Sequence, residues 1–297
     1  MSKTVNSSLQ RHTAVKASFF LLPASALMIF FFFVPVAMTF FYAFTNKTLN
    51  GLHAKQYDFV GFDNFVFLFS DDNFRAILLN TLVFLFFSAI VGQQVLGFIT
   101  AYLMDEKPKF IRSAVGIILI AAWVVPETIC AFIWFAFFSD EGTLNRIMDF
   151  VGIKPIAWLI TFPMISVIVA NIWRGTAFSM MVFQAALGDV PKDIKEAAKM
   201  DGASGFQMLI RVTLPVIKNA ILMNMVLITL ATLGVFTLIF AMTGGGPGIQ
   251  TETLPLYMYH QAFVGYQIGY GTAIALILLS VGIVASLLYI RILRVKV

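Results

Sequence analysis

Two charged residues lie inside long apolar runs: Glu127, directly after Pro126, and Arg174, directly after Trp173. A charge within a membrane span costs at least about 2.5–3.5 kcal/mol, so it faces a cavity, a protein partner or a solute. Glu127 stands about 22 Å along a helix from Arg112, and Arg174 about 20 Å from Leu187, at roughly 1.5 Å per residue. The depths match. The two groups could pair as a structural ion pair, or both could face solute, and a carboxylate there would suit a solute with an amine. Catalysis is poorly served. The histidines (His12, His53, His260) are scattered, and the single cysteine, Cys130, permits no internal disulfide and no Cys/His metal spacing. The run Gly244-Gly245-Gly246-Pro247-Gly248 lacks the Gly-Lys-Ser/Thr that a phosphate-cradling loop needs, and reads as a turn. No catalytic or metal-ligating residue is assigned, and the chain is not expected to hydrolyse ATP itself.

The elements that must hold these charges follow from composition. The 297 residues are 60% hydrophobic and only 12% charged, with mean hydropathy +0.89. Soluble domains carry about 25% charged residues. The chain reads as an all-α polytopic membrane protein with six transmembrane helices. Spans of about 20 apolar residues fit roughly 17–45, 76–104, 112–138, 157–187, 213–243 and 267–291. The first is too long for a signal-peptide apolar core, so it is taken as an uncleaved helix. With the N-terminus inside, Lys3, Arg11 and Lys16, then Lys107, Lys109 and Arg112, then Lys192, Lys195, Lys199, Arg211 and Lys218, then Arg291, Arg294 and Lys296 are cytoplasmic. Lys47, Lys55, Arg75, Arg146 and Lys154 are outside. That excess places both termini in the cytoplasm and makes the net charge of +5 a topology signal rather than a nucleic-acid footprint. The organisation is a tail at 1–16, the first helix and external loop at 17–75, a five-helix core at 76–291, and a tail at 292–297. In the external loop Phe62, Phe65, Phe67 and Phe69 fit either a segment lying at the interface or an ordered loop.

The cytoplasmic connection at 188–218 is polar, basic and helix-prone. Asp189 can cap a helix with Pro191 in its first turn. Asp201-Gly202 is a stop signal. Ser204 and Gln207 fit a capping box for a second short helix, and Leu214-Pro215 leads into the next span. The expected form is helix, sharp turn, helix. Ala197 and Ala198 expose little side chain, and Met200, Phe206, Met208 and Leu209 are too apolar for a free loop. They fit a protein docking here or a basic loop packed on its own helices.

Glu196-Ala197-Ala198, Asp201-Gly202-Ala203 and Leu214-Pro215 resemble the EAA motif of binding-protein-dependent ABC permeases, with Val212 where that family usually has Ile. Val60-Gly61-Phe62-Asp63-Asn64, Asn171-Ile172-Trp173-Arg174-Gly175-Thr176, and Thr243-Gly244-Gly245-Gly246-Pro247 followed by Glu252-Thr253-Leu254-Pro255 are similar, in the same order, to landmarks of its MalF-like sugar branch. The resemblance covers nearly the whole chain. It implies the type I ABC importer (MetI-like, MalF-like) permease fold in a bacterial or archaeal inner membrane. It implies as partners a second homologous permease in a heterodimer, an ABC ATPase dimer that binds ATP and Mg, an extracytoplasmic solute-binding protein and membrane lipid, with no cofactor on this chain. Glu196, Ala197, Ala198, Asp201, Gly202, Ala203, Leu214 and Pro215 would couple to the ATPase. The solute pocket would draw on Glu127, Arg174, Gly175, Phe178, Thr232, Val235 and Phe236. Thr237 stands where the branch commonly has a carboxylate.

Two other functional classes compete with this one. An ion-coupled secondary transporter of a small polar solute would need no ATPase dock and often shows internal repeats, which this chain lacks. A membrane-embedded enzyme would need a convergent constellation, and Glu127 is the acidic group within the spans. Asn80, Gln93, Gln94, Asn171, Gln184 and Asn224 are read mostly as interhelical contacts, worth about 0.6 kcal/mol each.

Overall fold

The computed structural model describes residues 21–105 and 107–293. The expected tail at 1–16 with Lys3, Arg11 and Lys16, the start of the first span, and Arg294 and Lys296 lie outside the described residues. Among the described residues four helices are long and apolar enough to cross a membrane: α1 Leu21–Tyr42, α3 Asp72–Asp105, α7 Pro163–Gly188 and α13 Ile268–Leu293. Two bent pairs bring the total to six if each is one span. Lys109–Val124 (α4) meets Glu127–Phe150 at 102°, and Gly205–Val216 (α9) meets Lys218–Leu233 (α10) at 70°. Shorter elements include α2 Asp63–Ser70, α5 Glu127–Phe138, α6 Thr143–Phe150, α8 Lys192–Met200, α11 Thr237–Met242 and α12 Leu254–Tyr259.

The third and fifth expected spans are therefore not continuous helices. Val125 and Pro126 adopt extended ψ values of 127° and 142° between α4 and α5. Proline excludes the helical conformation from the residue before it and offers no N–H to the turn behind it. The expected 213–243 helix is interrupted twice, at Ile217 and again at Gly234–Phe236, so Leu214-Pro215 precedes a bend instead of opening a straight span.

The chain divides into two compact units, 1–67 with 261–276 and 68–260 with 277–297. In the first, α1 is apolar and its most hydrophobic window is 0% buried, as a helix facing lipid or another subunit would be. Asn64 donates from Nδ2 to the carbonyls of Ala43 and Thr45 at 2.8 and 2.9 Å, and Gly61 turns the chain at φ 59°. These contacts give the Val60–Asn64 landmark a structural role. Phe62, Phe67 and Phe69 stand exposed on or beside α2, so this segment is both ordered and apolar at its surface.

The second unit centres on α3 and α7. Asp71 caps α3 by accepting from Asn73 N at 2.9 Å. Leu85–Gln93 within α3 is π-helical, and this widened stretch buries Ser88, Ala89, Gly92 and Gln93 together. A Cβ on Gly97 or Gly175 would overlap Ser179 or the Gln93 carboxamide, so small residues set how closely the two helices approach. Asn171 donates to Ser88 Oγ at 2.9 Å, and Asn224 donates to Gln94 Oε1 and to Ser179 Oγ. Asn80 donates to the Ile249 carbonyl at 2.7 Å and Thr81 Oγ1 accepts from Leu254 N at 2.9 Å, which fastens the Gly244–Pro255 turn. Gln184 differs from the other span amides: its Nε2 is buried without a partner.

Candidate functional site

A cavity of about 240 Å³ opens between α3, α4, α7 and α10. α7 presents Asn171, Arg174, Gly175 and Phe178. α10 presents Leu227, Ile228, Ala231 and Thr232, and Val235 follows at the break. Gln93 of α3 and Trp123 of α4 close the sides. Helical spacing explains the grouping, since residues three and four apart share a face. Arg174, Gly175 and Phe178 come from one turn of α7, and Ile228 and Thr232 from successive turns of α10.

Of the seven solute-pocket residues expected from sequence, five line this cavity: Arg174, Gly175, Phe178, Thr232 and Val235. Glu127 and Phe236 do not. Glu127 opens α5 and its Oε1 accepts from Leu238 N at 3.1 Å, so its carboxylate is drawn to the first turn of α11. There it satisfies a helix N–H that would otherwise lack a partner. Phe236 stacks on Phe240 with centroids 5.3 Å apart and lies 5.0 Å from the Tyr259 ring. The ion pairing left open from sequence is not made. The ion pairs within 4 Å among the described residues are Lys195–Asp105 and His260–Glu252. Arg174 Nε is buried with no hydrogen-bond partner.

The remaining lining was missed from sequence or assigned another task. Gln93 donates to the Asn171 carbonyl at 3.0 Å, so both amides serve the α3–α7 contact as expected, but both also face the cavity. Trp123 lies 6.1 Å from Phe178, ring to ring. Its signal was available, an aromatic three residues before the proline that breaks the helix. Leu227 and Ala231 carried no signal beyond spacing.

The second region is the 188–218 loop, which forms the helix–turn–helix expected. Gly202 has φ 79°, with Gly202 N donating to Lys199 O and Ala203 N to Ala198 O, each at 3.0 Å. These two bonds make a complete Schellman stop. Ser204 and Gln207 form the reciprocal capping box. Asp189 does not cap α8. It terminates α7 instead, Pro191 is the N-cap, and no side-chain bond is made there. Lys195 Nζ lies 3.0 Å from Asp105 Oδ2 and ties α8 to the end of α3. Glu196, Ala197, Asp201 and Gly202 are exposed, and Ala198 and Ala203 are half-buried. Met200 and Phe206 are 89% and 70% exposed, so this chain does not itself cover the apolar face it displays, whereas Met208 turns inward. Leu214 packs beneath the loop with Leu187, Val190 and Ile217, and Pro215 stays exposed.

Residues 93–294 match the family described as binding-protein-dependent transport system inner membrane component. A multiple sugar-binding transport system permease, MsmF, of Streptococcus mutans is 34% identical over 280 residues, covering 92% of this chain and 93% of that one. The trehalose/maltose transport system permease MalF of Thermococcus litoralis is 28% identical over 299 residues, covering 100% and 99%. The sulfoquinovosyl glycerol transport system permease SmoG of Agrobacterium fabrum is 29% identical over 280 residues, covering 93% and 89%. A chain of a solved bacterial alginate ABC transporter, in complex with alginate pentasaccharide-bound periplasmic protein, superposes with TM-score 0.81 at 25% identity, covering 98% of this chain and 99% of that one. These matches run over nearly the full length of the permeases named, and the chain belongs to the inner-membrane permease components of binding-protein-dependent ABC transporters.

Proposed function

We propose that this permease imports a saccharide delivered by an extracytoplasmic binding protein, and that closure of a separate ATPase dimer drives it through the 188–218 elbow. The observation that carries the reading is the elbow itself. It is fixed internally by the Gly202 stop and the Ser204–Gln207 box, moored to α3 by Lys195–Asp105, and bare on the face bearing Glu196, Ala197, Met200 and Phe206. An exposed apolar face on a rigid polar scaffold marks a docking surface. α8 and α9 lead into α7 and α10, which line the cavity, so displacement of the elbow would be passed to the solute site along rigid helices.

The saccharide assignment is supported by the solutes of similar transport systems, trehalose and maltose, sulfoquinovosyl glycerol and alginate among them. Aromatic faces beside a few polar groups in a mostly apolar cavity suit a sugar. A second permease would complete the pathway opposite this one, and both termini would be cytoplasmic. The test is co-purification with the ATPase followed by solute-stimulated ATP hydrolysis in the reconstituted complex. Glu196→Lys is expected to lower stimulated hydrolysis and uptake at least tenfold, leaving the apo permease as stable as wild type. Wild-type coupling in that variant would refute the docking surface.

A further inference from the structure

A second cavity, of about 420 Å³, opens where the elbow meets the ends of α3 and α7. Its charged lining is Lys107, Lys195 and Lys199 against one carboxylate, Asp105. Lys195 gives one of its three donors to that carboxylate at 3.0 Å. Lys107 and Lys199 have no carboxylate within 4 Å among the described residues. Three ammonium groups around one acid leave an excess of positive charge in a concave space, where the field is focused. Such a space suits an anion with several oxygens, and lysine is a common point-charge partner of phosphate. Thr213 adds a hydroxyl to the wall.

This cavity is separate from the face offered to the ATPase. Lys195 and Lys199 stand one turn apart on one side of α8, whereas Glu196 and Met200 lie about 100° further round the helix and are not among the lining residues. A partner seated on the bare face leaves the cavity open. On the α3 side its rim is apolar. Leu103 lines it and is 55% exposed, and Ile99 and Val95, at successive four-residue steps along the same face, are 44% and 46% exposed. Uncovered hydrocarbon thus runs from the cationic space along a membrane span. A soluble phosphate ester has no group for that strip, and a phospholipid has an acyl chain. Basic pockets beside transmembrane helices on the cytoplasmic side hold anionic lipid headgroups.

Resting on the cytoplasmic placement of the elbow in the reading above, we propose that this cavity binds the phosphate of an anionic phospholipid of the cytoplasmic leaflet. An acyl chain lies along Leu103, Ile99 and Val95, and the headgroup clasps α8 and α9 to the end of α3.

The test titrates the assembled complex of both permeases and the ATPase dimer, in detergent, with phosphatidylglycerol, phosphatidylcholine and glycerol 1-phosphate, read by native mass spectrometry. Phosphatidylglycerol is expected to bind at least tenfold tighter than either of the others. Lys107→Gln combined with Lys199→Gln should weaken phosphatidylglycerol at least fivefold and leave phosphatidylcholine within about twofold. Lys218→Gln combined with Arg291→Gln removes the same charge outside the cavity lining and should change neither by more than about twofold. Equal affinity of the wild type for the two lipids, a preference that survives the lysine pair, or an equal loss in the control pair overturns the proposal. Glycerol 1-phosphate binding as tightly as phosphatidylglycerol overturns it in favour of a soluble phosphate ester. The wild-type comparisons need no variant, so a misassembled one does not remove the test. Solute-stimulated ATP hydrolysis with the binding protein, in the same preparation, reads the importer assignment separately. Stimulation without lipid preference overturns the lipid site alone, and lipid preference without stimulation overturns the importer reading alone.

Discussion

Single residues here do structural and functional work at the same positions. Gly175 sits in the cavity wall, and the Gln93 carboxamide occupies the volume a Cβ would need. Gly175→Ala should destabilise the permease by about 1–3 kcal/mol through overpacking. Gln93→Ala should rescue part of that loss in the double variant, because the two side chains contend for one space. Thermal unfolding of the four purified proteins reads the cycle, and strict additivity would show that the clash is not there. Glu127 is a cap before it is anything else. Glu127→Ala should cost about 1 kcal/mol by orphaning Leu238 N, whereas Glu127→Gln keeps an acceptor oxygen and should cost less. The same unfolding measurement separates the two. Equal losses would mean that charge rather than hydrogen bonding holds α11. Arg174 was legible as an anomaly from sequence alone. The partner of Glu127 was not, because the chain breaks at Val125–Pro126 and the carboxylate accepts from Leu238 N.

Elements convert those residues into a machine by where they break. The breaks at Val125–Pro126, Ile217 and Gly234–Phe236 leave helix ends inside what sequence reads as continuous spans. Irregular backbone at membrane depth is tolerated where it is buried in protein or lines a cavity. Val235 lies both at a break and in the cavity wall, which fits that rule. The elbow shows the opposite design, with its central turn closed by the Gly202 stop and the Ser204–Gln207 box. Its mooring, Lys195–Asp105, is partly exposed at 28% and 19%, so it contributes about 0–1 kcal/mol and serves to position α8 more than to stabilise the fold. Gly202 carries φ 79°, a conformation that costs a side-chain-bearing residue roughly 1–2 kcal/mol. Gly202→Val is expected to leave the spans folded while uncoupling ATP hydrolysis from uptake, seen as hydrolysis that no longer responds to solute. Coupling at wild-type levels would show that the turn is not required. The capping box and the stop were readable from sequence because both are local. The missing Asp189 cap was not, because α7 extends to Gly188 and takes Asp189 as its own terminus.

At the scale of the whole molecule, orientation is the main consequence of charge. The excess of lysine and arginine on the elbow side predicts a cytoplasmic elbow and an external 139–157 connection. In a Cys130→Ser background, a membrane-impermeant maleimide applied to spheroplasts should label Lys154→Cys and spare Lys199→Cys until the membrane is permeabilised. The inverted pattern would reverse the topology and remove the elbow from the compartment that holds ATP. α1 exposes nearly all of its apolar surface, so it needs lipid or another subunit as its solvent.

Sequence by itself determined the class, the number of apolar segments, the elbow with its stop and capping box, and the family landmarks. Each depends on composition or on residues a few positions apart, where hydropathy, backbone propensity and caps act locally. Tertiary structure alone decided which of the buried polar groups meet. It placed Gln93 and Trp123 beside Arg174, withdrew Glu127 and Phe236 from the cavity, and left Arg174 Nε without a hydrogen-bond partner. Those outcomes depend on how far each helix rotates and where it bends, and such angles are set by packing between segments roughly 50–110 residues apart in the chain, beyond the reach of any local rule.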